Sequence, residues 1–82
     1  MKSAKEMFEE LGYKKINDKE DIIQYFNKKD NVRIRFFKTA YGNSIEIEDD
    51  CYMATFIGIN ELKAINKQVE ELGWNKWKKK KY

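Results

Sequence analysis

Between residues 13 and 57 the apolar side chains recur at about every second position, whereas on either side they recur every third or fourth. A period of two marks a strand with one face buried, and a period near 3.6 marks a helix with one apolar stripe. The order helix, strands, helix in 82 residues leaves room for one small α+β domain and not for two cores.

The opening helix carries its own start and stop signals. Ser3-Ala4-Lys5-Glu6 matches a capping box, and Ala4, Met7, Phe8 and Leu11 share one face. Gly12 supplies a left-handed stop, with Tyr13 placed to pack back on Phe8. The closing helix is read over 59–72, with Leu62, Ile65, Val69 and Leu72 as its apolar stripe and Ile59 extending it backward. Gly58 is its expected N-cap, with Glu61 supplying half of a capping box. Glu70-Glu71-Leu72-Gly73-Trp74 echoes Glu9-Glu10-Leu11-Gly12-Tyr13, which we read as one helix-stop motif used twice rather than a duplicated unit. The paired acids oppose the dipole of each last turn, at a cost that nearby lysines or a contact surface would offset.

Segments 13–17, 21–27, 31–39, 44–49 and 51–57 read as the strands of an antiparallel meander, separated by turn residues at 17–20, 28–30, 42–43 and 49–50. Val32, Ile34 and Phe36 alternate with Arg33, Arg35 and Phe37, and Ile45 and Ile47 with Ser44, Glu46 and Glu48. A two-residue loop at Gly42-Asn43 sets Phe37 against Glu48 and Arg35 against Asp50. A four-residue loop over 40–43 instead sets Arg35 against Glu48 and Arg33 against Asp50. Both registers keep arginine opposite carboxylate, because they differ by two residues. The expected fold is a two-layer α+β domain over 1–74. Its four or five strands carry both helices on one face, with Val32, Ile34, Phe36, Ile45 and Ile47 beneath them.

The net charge of +3 divides unevenly. Residues 1–74 hold 12 basic and 14 acidic side chains, and residues 75–82, NKWKKKKY, hold five lysines and no acid. The basic character is therefore that of a Lys-rich, aromatic C-terminal tail. Lys76, Lys78, Lys79, Lys80 and Lys81 with Trp77 have the chemistry to neutralise phosphates and stack on unpaired bases. Five phosphate contacts imply a log–log salt slope of about −3.5 to −4.5. The bland reading of the same residues is a solvated terminus.

Other chemistry is scarce. The absence of histidine and the single Cys51 exclude an internal disulfide, the common zinc sites and a His-based triad. Cys51 is expected to be a buried, inert thiol. Glu46, Glu48, Asp49 and Asp50 follow no EF-hand spacing and read as an ion-paired face rather than a metal site. No cofactor is implied, no run approaches 18 apolar residues, and a cytoplasmic, non-enzymatic protein is expected. On the sheet face away from the helices, Arg33, Arg35 and Phe37, joined by Tyr25 or Tyr52, form the candidate partner-binding patch. Dimerisation through that face or an edge strand is a further expectation, because so small a core is marginal alone.

The strings AKEMFEELGYKKI at 4–16 and NELKAINKQVEELGW at 60–74 resemble a family of short, uncharacterised proteins encoded by phages and prophages of low-GC Gram-positive bacteria. The likeness covers the two ends, about a third of the chain, and neither the middle nor the tail; Gly58 stands where that family carries a hydroxyl residue. It implies a mobile-element origin and an α+β domain, and supplies no activity or catalytic residue. Two functions are carried from the sequence. One is a phage accessory protein that binds a host or phage protein, as an inhibitor of a host factor for instance. The other is a small nucleic-acid-binding protein using the tail with Arg33, Arg35 and Phe37.

Overall fold

Ser3 opens the first helix, α1 (Ala4–Glu10), with both halves of the capping box in place. The Glu6 amide donates to Ser3 Oγ at 3.1 Å, and the Ser3 amide donates to Glu6 Oε1 at 2.8 Å. The computed structural model describes residues 2–49 and 57–74. Four strands follow α1, β1 (Lys14–Lys19), β2 (Ile22–Asn27), β3 (Val32–Thr39) and β4 (Gly42–Asp49), and the chain closes on α2 (Ile59–Leu72). The strands form one antiparallel sheet in the order β1-β2-β3-β4, giving the α+β meander that the periodicity implies. The fifth strand expected over 51–57 lies outside the described residues but for Ile57, as do Cys51, Tyr52 and the tail residues 75–82.

Both helices end on one motif. Gly12 (φ 95°) and Gly73 (φ 78°) adopt the left-handed conformation that L side chains resist. The next amide then reaches back five residues, Tyr13 to the Phe8 carbonyl at 2.9 Å and Trp74 to that of Val69 at 3.0 Å. The aromatic so placed turns inward. Tyr13 is buried edge-on to Phe8, ring centroids 5.6 Å apart, and Trp74 packs against the core.

The two helices share one face of the sheet. Phe8, Ala64 and Ile65 from the helices meet Ile23 and Tyr25 of β2 and Val32, Ile34 and Phe36 of β3. At the centre Phe8 stacks on Tyr25 at 4.0 Å, and Phe36 meets both rings edge-on at 6.2 Å. Four large side chains, Tyr25, Phe8, Phe36 and Ile34, are fully buried. Burying rings of this size compensates for the small number of core residues.

Several sequence expectations need correction. The β3–β4 hairpin takes neither anticipated register. Its loop is Ala40-Tyr41, Thr39 faces Gly42, Arg35 faces Glu46 and Arg33 faces Glu48. Thr39 closes this turn, with Oγ1 donating to the Gly42 carbonyl at 2.8 Å and accepting from the Tyr41 amide at 3.1 Å. Gly42 (φ 133°) is the first residue of β4, one place beyond the turn rather than in it. The β1–β2 turn falls at Glu20-Asp21, later than the polar run at 17–20, because β1 continues to Lys19. Ile45 and Ile47 do lie on the helix side, yet Ile45 is 41% exposed and only Ile47 packs on the core.

The buried stripe of α2 also differs. Leu62 and Ile59 are exposed, while Ala64, Ile65 and Gln68 are buried. At 100° per residue that is a rotation of roughly 60° from the purely apolar stripe. The cause lies in the two tyrosines beneath the helix. Tyr25 and Tyr13 bring hydroxyls to the helix layer, and a buried hydroxyl needs a partner. Turning Gln68 and Glu61 inward supplies it.

Candidate functional site, the open face of the sheet

Strand alternation leaves β2 and β3 with a second side-chain row, pointing away from the helices. Ile22, Gln24 and Phe26 alternate with the core residues of β2, and Arg33, Arg35 and Phe37 with those of β3. Antiparallel pairing sets Phe26 beside Arg33, Gln24 beside Arg35 and Ile22 beside Phe37. Lys14, Asn17 and Lys19 complete the face from β1, and Ser44, Glu46 and Glu48 from β4. Eleven of these twelve side chains are at least partly exposed, and Gln24, at the centre of the face, is buried among them.

A bulge between Lys15 and Asn17 shifts β1 by one residue. It brings Lys15 and Asp18, three apart in sequence, to the same helix side of the sheet, where they form an ion pair at 3.2 Å. Lys15 also lies 5.7 Å from the Tyr25 ring centroid. The bulge thereby keeps Lys14, Asn17 and Lys19 together on the open face.

The candidate patch is assembled as expected in part. Arg33, Arg35 and Phe37 stand on one strand and one face. Tyr25 does not join them. Its pairing with Ile34 points it to the helices, and its hydroxyl donates to Gln68 Oε1 at 2.6 Å. Tyr52 and the tail residues Lys76, Trp77, Lys78, Lys79, Lys80 and Lys81 lie outside the described residues. Side chains not singled out beforehand fill the place of Tyr25. Phe26 lies beneath the Arg33 guanidinium, 4.8 Å from ring centroid to Cζ, and Ile22 flanks Phe37. The alternation of β2 with its own apolar face was the signal for both.

The arginines are already engaged. Arg35 bonds Glu46 through Nη1 and Glu48 through Nη2, the latter at 3.1 Å, and Arg33 stands 3.6 Å from the same Glu48 carboxylate. Burial works to lower the Arg35 pKa, but the hydrogen bonds to Glu46 and Glu48 outweigh it and the net shift is upward. Asp21, Ile22, Arg35, Phe37, Lys38 and Glu46 line a shallow hollow of about 340 Å³ on this face. Ile22 and Phe37 supply its apolar lining, and the Arg35–Glu46 ion pair stands at its wall.

A second hollow of about 400 Å³ lies between the helices, lined by Lys2, Met7, Glu10, Leu11, Asn60 and Lys63. Lys2 and Glu10 form an ion pair at its rim. Among the described residues no cluster of histidine, cysteine, aspartate or glutamate is arranged to hold a metal ion. No described helix is long and apolar enough to cross a membrane.

No protein-family model, curated protein or solved structure matches the chain.

Proposed function

We propose that the open sheet face docks a protein, and that the chain is a small phage- or prophage-encoded accessory protein that acts by binding rather than by chemistry. Blocking a host enzyme or defence factor is the kind of task this describes. One observation carries the choice of partner class: the guanidinium groups of Arg33 and Arg35 are held by Glu46 and Glu48. A phosphate backbone would have to displace those carboxylates or accept them as neighbours, and either weakens binding. A protein surface meets Phe26, Phe37 and Ile22 with arginine stems between them, the mixture that enriches binding hot spots. The mobile-element origin rests on the strings at 4–16 and 60–74.

The test compares the wild-type chain with Phe37→Asp, which places a charge in the middle of the apolar floor. Capture of a defined protein from host lysate by wild type, and its loss in a folded Phe37→Asp variant, supports the reading. The nucleic-acid alternative uses the five tail lysines. It predicts single-strand binding at about 50 mM salt that is lost when those lysines are replaced by serine, and that weakens steeply as salt rises. Single-strand binding by wild type that depends on those lysines, with no protein captured, would replace the docking reading.

A further inference from the structure

One row across the open face carries opposite charges at its two ends. It runs Lys14, Phe26, Arg33, Glu48, from β1 to β4. A row at the other end runs Lys19, Ile22, Phe37, Ser44. Among the described residues neither Lys14 nor Lys19 forms an ion pair, so the β1 margin is cationic, while the β4 margin carries the carboxylates of Glu46 and Glu48, half-exposed and already shared with the arginines of β3.

A half-turn about an axis lying in this face and parallel to the strands reverses strand order and preserves the level along each strand. It sets β1 over β4 and β2 over β3 of a second copy. Lys14 then meets Glu48 of the second copy, the Phe26 ring meets its Arg33, and Ile22 meets its Phe37. Each contact occurs twice, as an isologous interface requires. A half-turn about an axis across the middle of the strands sets β4 over β4 instead and stacks Glu46 on Glu46, which like charges oppose.

We propose that two copies of this chain associate through their open sheet faces, with the two-fold axis parallel to the strands. The inference rests on reading this face as a protein-docking surface and names a second copy of the chain as the protein. The packing is that of an aligned sandwich, two sheets about 10 Å apart. Strand spacing and rise give a face of roughly 400 Å² per copy. That is about half the ~800 Å² per partner of a standard interface, the size of a weak association. A weak dimer keeps the face covered at high concentration and open to a tighter partner at low concentration.

Sedimentation equilibrium of the full chain tests this between about 10 µM and about 1 mM, the range in which weak association is seen. The apparent mass of wild type is expected to rise toward twice that of the chain. Glu48→Lys or Lys14→Glu alone weakens association at least tenfold, and the double exchange Lys14→Glu/Glu48→Lys recovers it. Lys14 is exposed and forms no ion pair among the described residues, so Lys14→Glu leaves the fold intact, whereas Glu48 also holds Arg33 and Arg35 and its variant is read only where circular dichroism shows it folded. Zero-length carbodiimide coupling gives an independent readout. Lys14 and Glu48 of one chain stand three strand spacings apart, about 14 Å, so a Lys14–Glu48 link reports contact between copies.

A wild-type chain that stays monomeric to about 1 mM overturns the proposal, as does a dimer indifferent to both reversals or one the double exchange does not recover. If self-association fails in these ways while Phe37→Asp still abolishes capture of another protein, only the dimer is lost and the docking reading stands. Association that nuclease treatment removes overturns both.

Discussion

Glu71, in the last turn of α2, accepts a hydrogen bond from the Ala4 amide in the first turn of α1, N to Oε2 2.8 Å. The carboxylate is misplaced with respect to its own helix and well placed with respect to the other. It opposes the negative end of the α2 dipole and complements the positive end of α1, whose first amides have no partner within the helix. The acidic pairs that look unfavourable in sequence thus have specific employment. Glu71 caps the neighbouring helix, while Glu70, Glu9 and Glu10 pair with Lys67, Lys5 and Lys2.

Removing the Glu71 acceptor should therefore loosen the other helix. Glu71→Ala is expected to cost about 1 kcal/mol, the usual worth of an N-terminal helix acceptor. Glu71→Gln retains an oxygen without the charge and should cost less. Urea midpoints measure the loss, and amide exchange at Ala4 should accelerate more than exchange within α2. Faster exchange confined to α2 would contradict the assignment.

A second prediction concerns the hydroxyl of Tyr25, which donates to Gln68 Oε1 at 2.6 Å between the sheet and α2. Tyr25 is fully buried and Gln68 is 4% exposed, so neither group has ready recourse to water. Tyr25→Phe is expected to destabilise the fold by about 1–3 kcal/mol, because the amide oxygen is left buried without its donor. Gln68→Leu should be costly for the reciprocal reason. The double variant should lose less than the two single losses added, since it buries no orphaned group. Strict additivity in guanidinium unfolding would show that the bond contributes nothing. The same burial, followed by the charge of nearby Glu71, raises the Tyr25 pKa. Stability from the neutral phenol is then complete below pH 10 and lost only as pH rises through the higher folded value.

The sequence shows the elements and the sheet face more clearly than it shows the turns and the interior polar contacts. Alternation from Val32 to Phe37 suffices to separate core from open face, because the strand period is two and any shift of register by an even number preserves it. That insensitivity is also why the hairpin register was not legible. Arg35 meets a carboxylate in the register found and in both of those anticipated, and the choice falls to the Thr39 turn bond and the unusual φ of Gly42. On α2 the capping role of Glu61 was legible, but the burial of Gln68 and the contact of Glu61 with Tyr13 were not, because apolar periodicity counts only apolar residues. Glu61 serves two elements at once, accepting from the Gly58 amide at 2.8 Å and from the Tyr13 hydroxyl at 3.2 Å. Those contacts span 48 positions in the chain in the second case, and local pattern carries no trace of them. Of the candidate patch, the half on β3 was legible, and Phe26 and Ile22 were missed by attention to one strand of the pair.

Gly12 provides a test of the helix stop. At φ 95° an L side chain is strained, yet a methyl group there would meet only the Asn27 amide, at an ordinary contact distance of 3.5 Å. Gly12→Ala should cost roughly 1–2 kcal/mol through backbone strain alone. Gly12→Asn, whose side chain tolerates the left-handed region better, should cost less at similar bulk. An alanine variant as stable as wild type in thermal unfolding would mean that the stop depends on Tyr13 and not on the glycine.

The capping box of α1 makes a prediction in pH. The Glu6 pKa lies below its ordinary value of 4.5, because the carboxylate accepts from the Ser3 backbone amide and, second, interacts with the Ser3 side chain. A carboxylate with a folded pKa below its unfolded one binds fewer protons when folded. Its contribution is therefore complete above about pH 4.5 and is lost as pH falls through the lower folded value. The Ser3 amide proton shift, followed by NMR, should titrate with a midpoint below 4.5. Ser3→Ala removes the hydroxyl, leaves the Ser3-position amide as donor, and should move that midpoint only part of the way back up. A midpoint at or above 4.5 in wild type would show that Glu6 does not reach back to the cap.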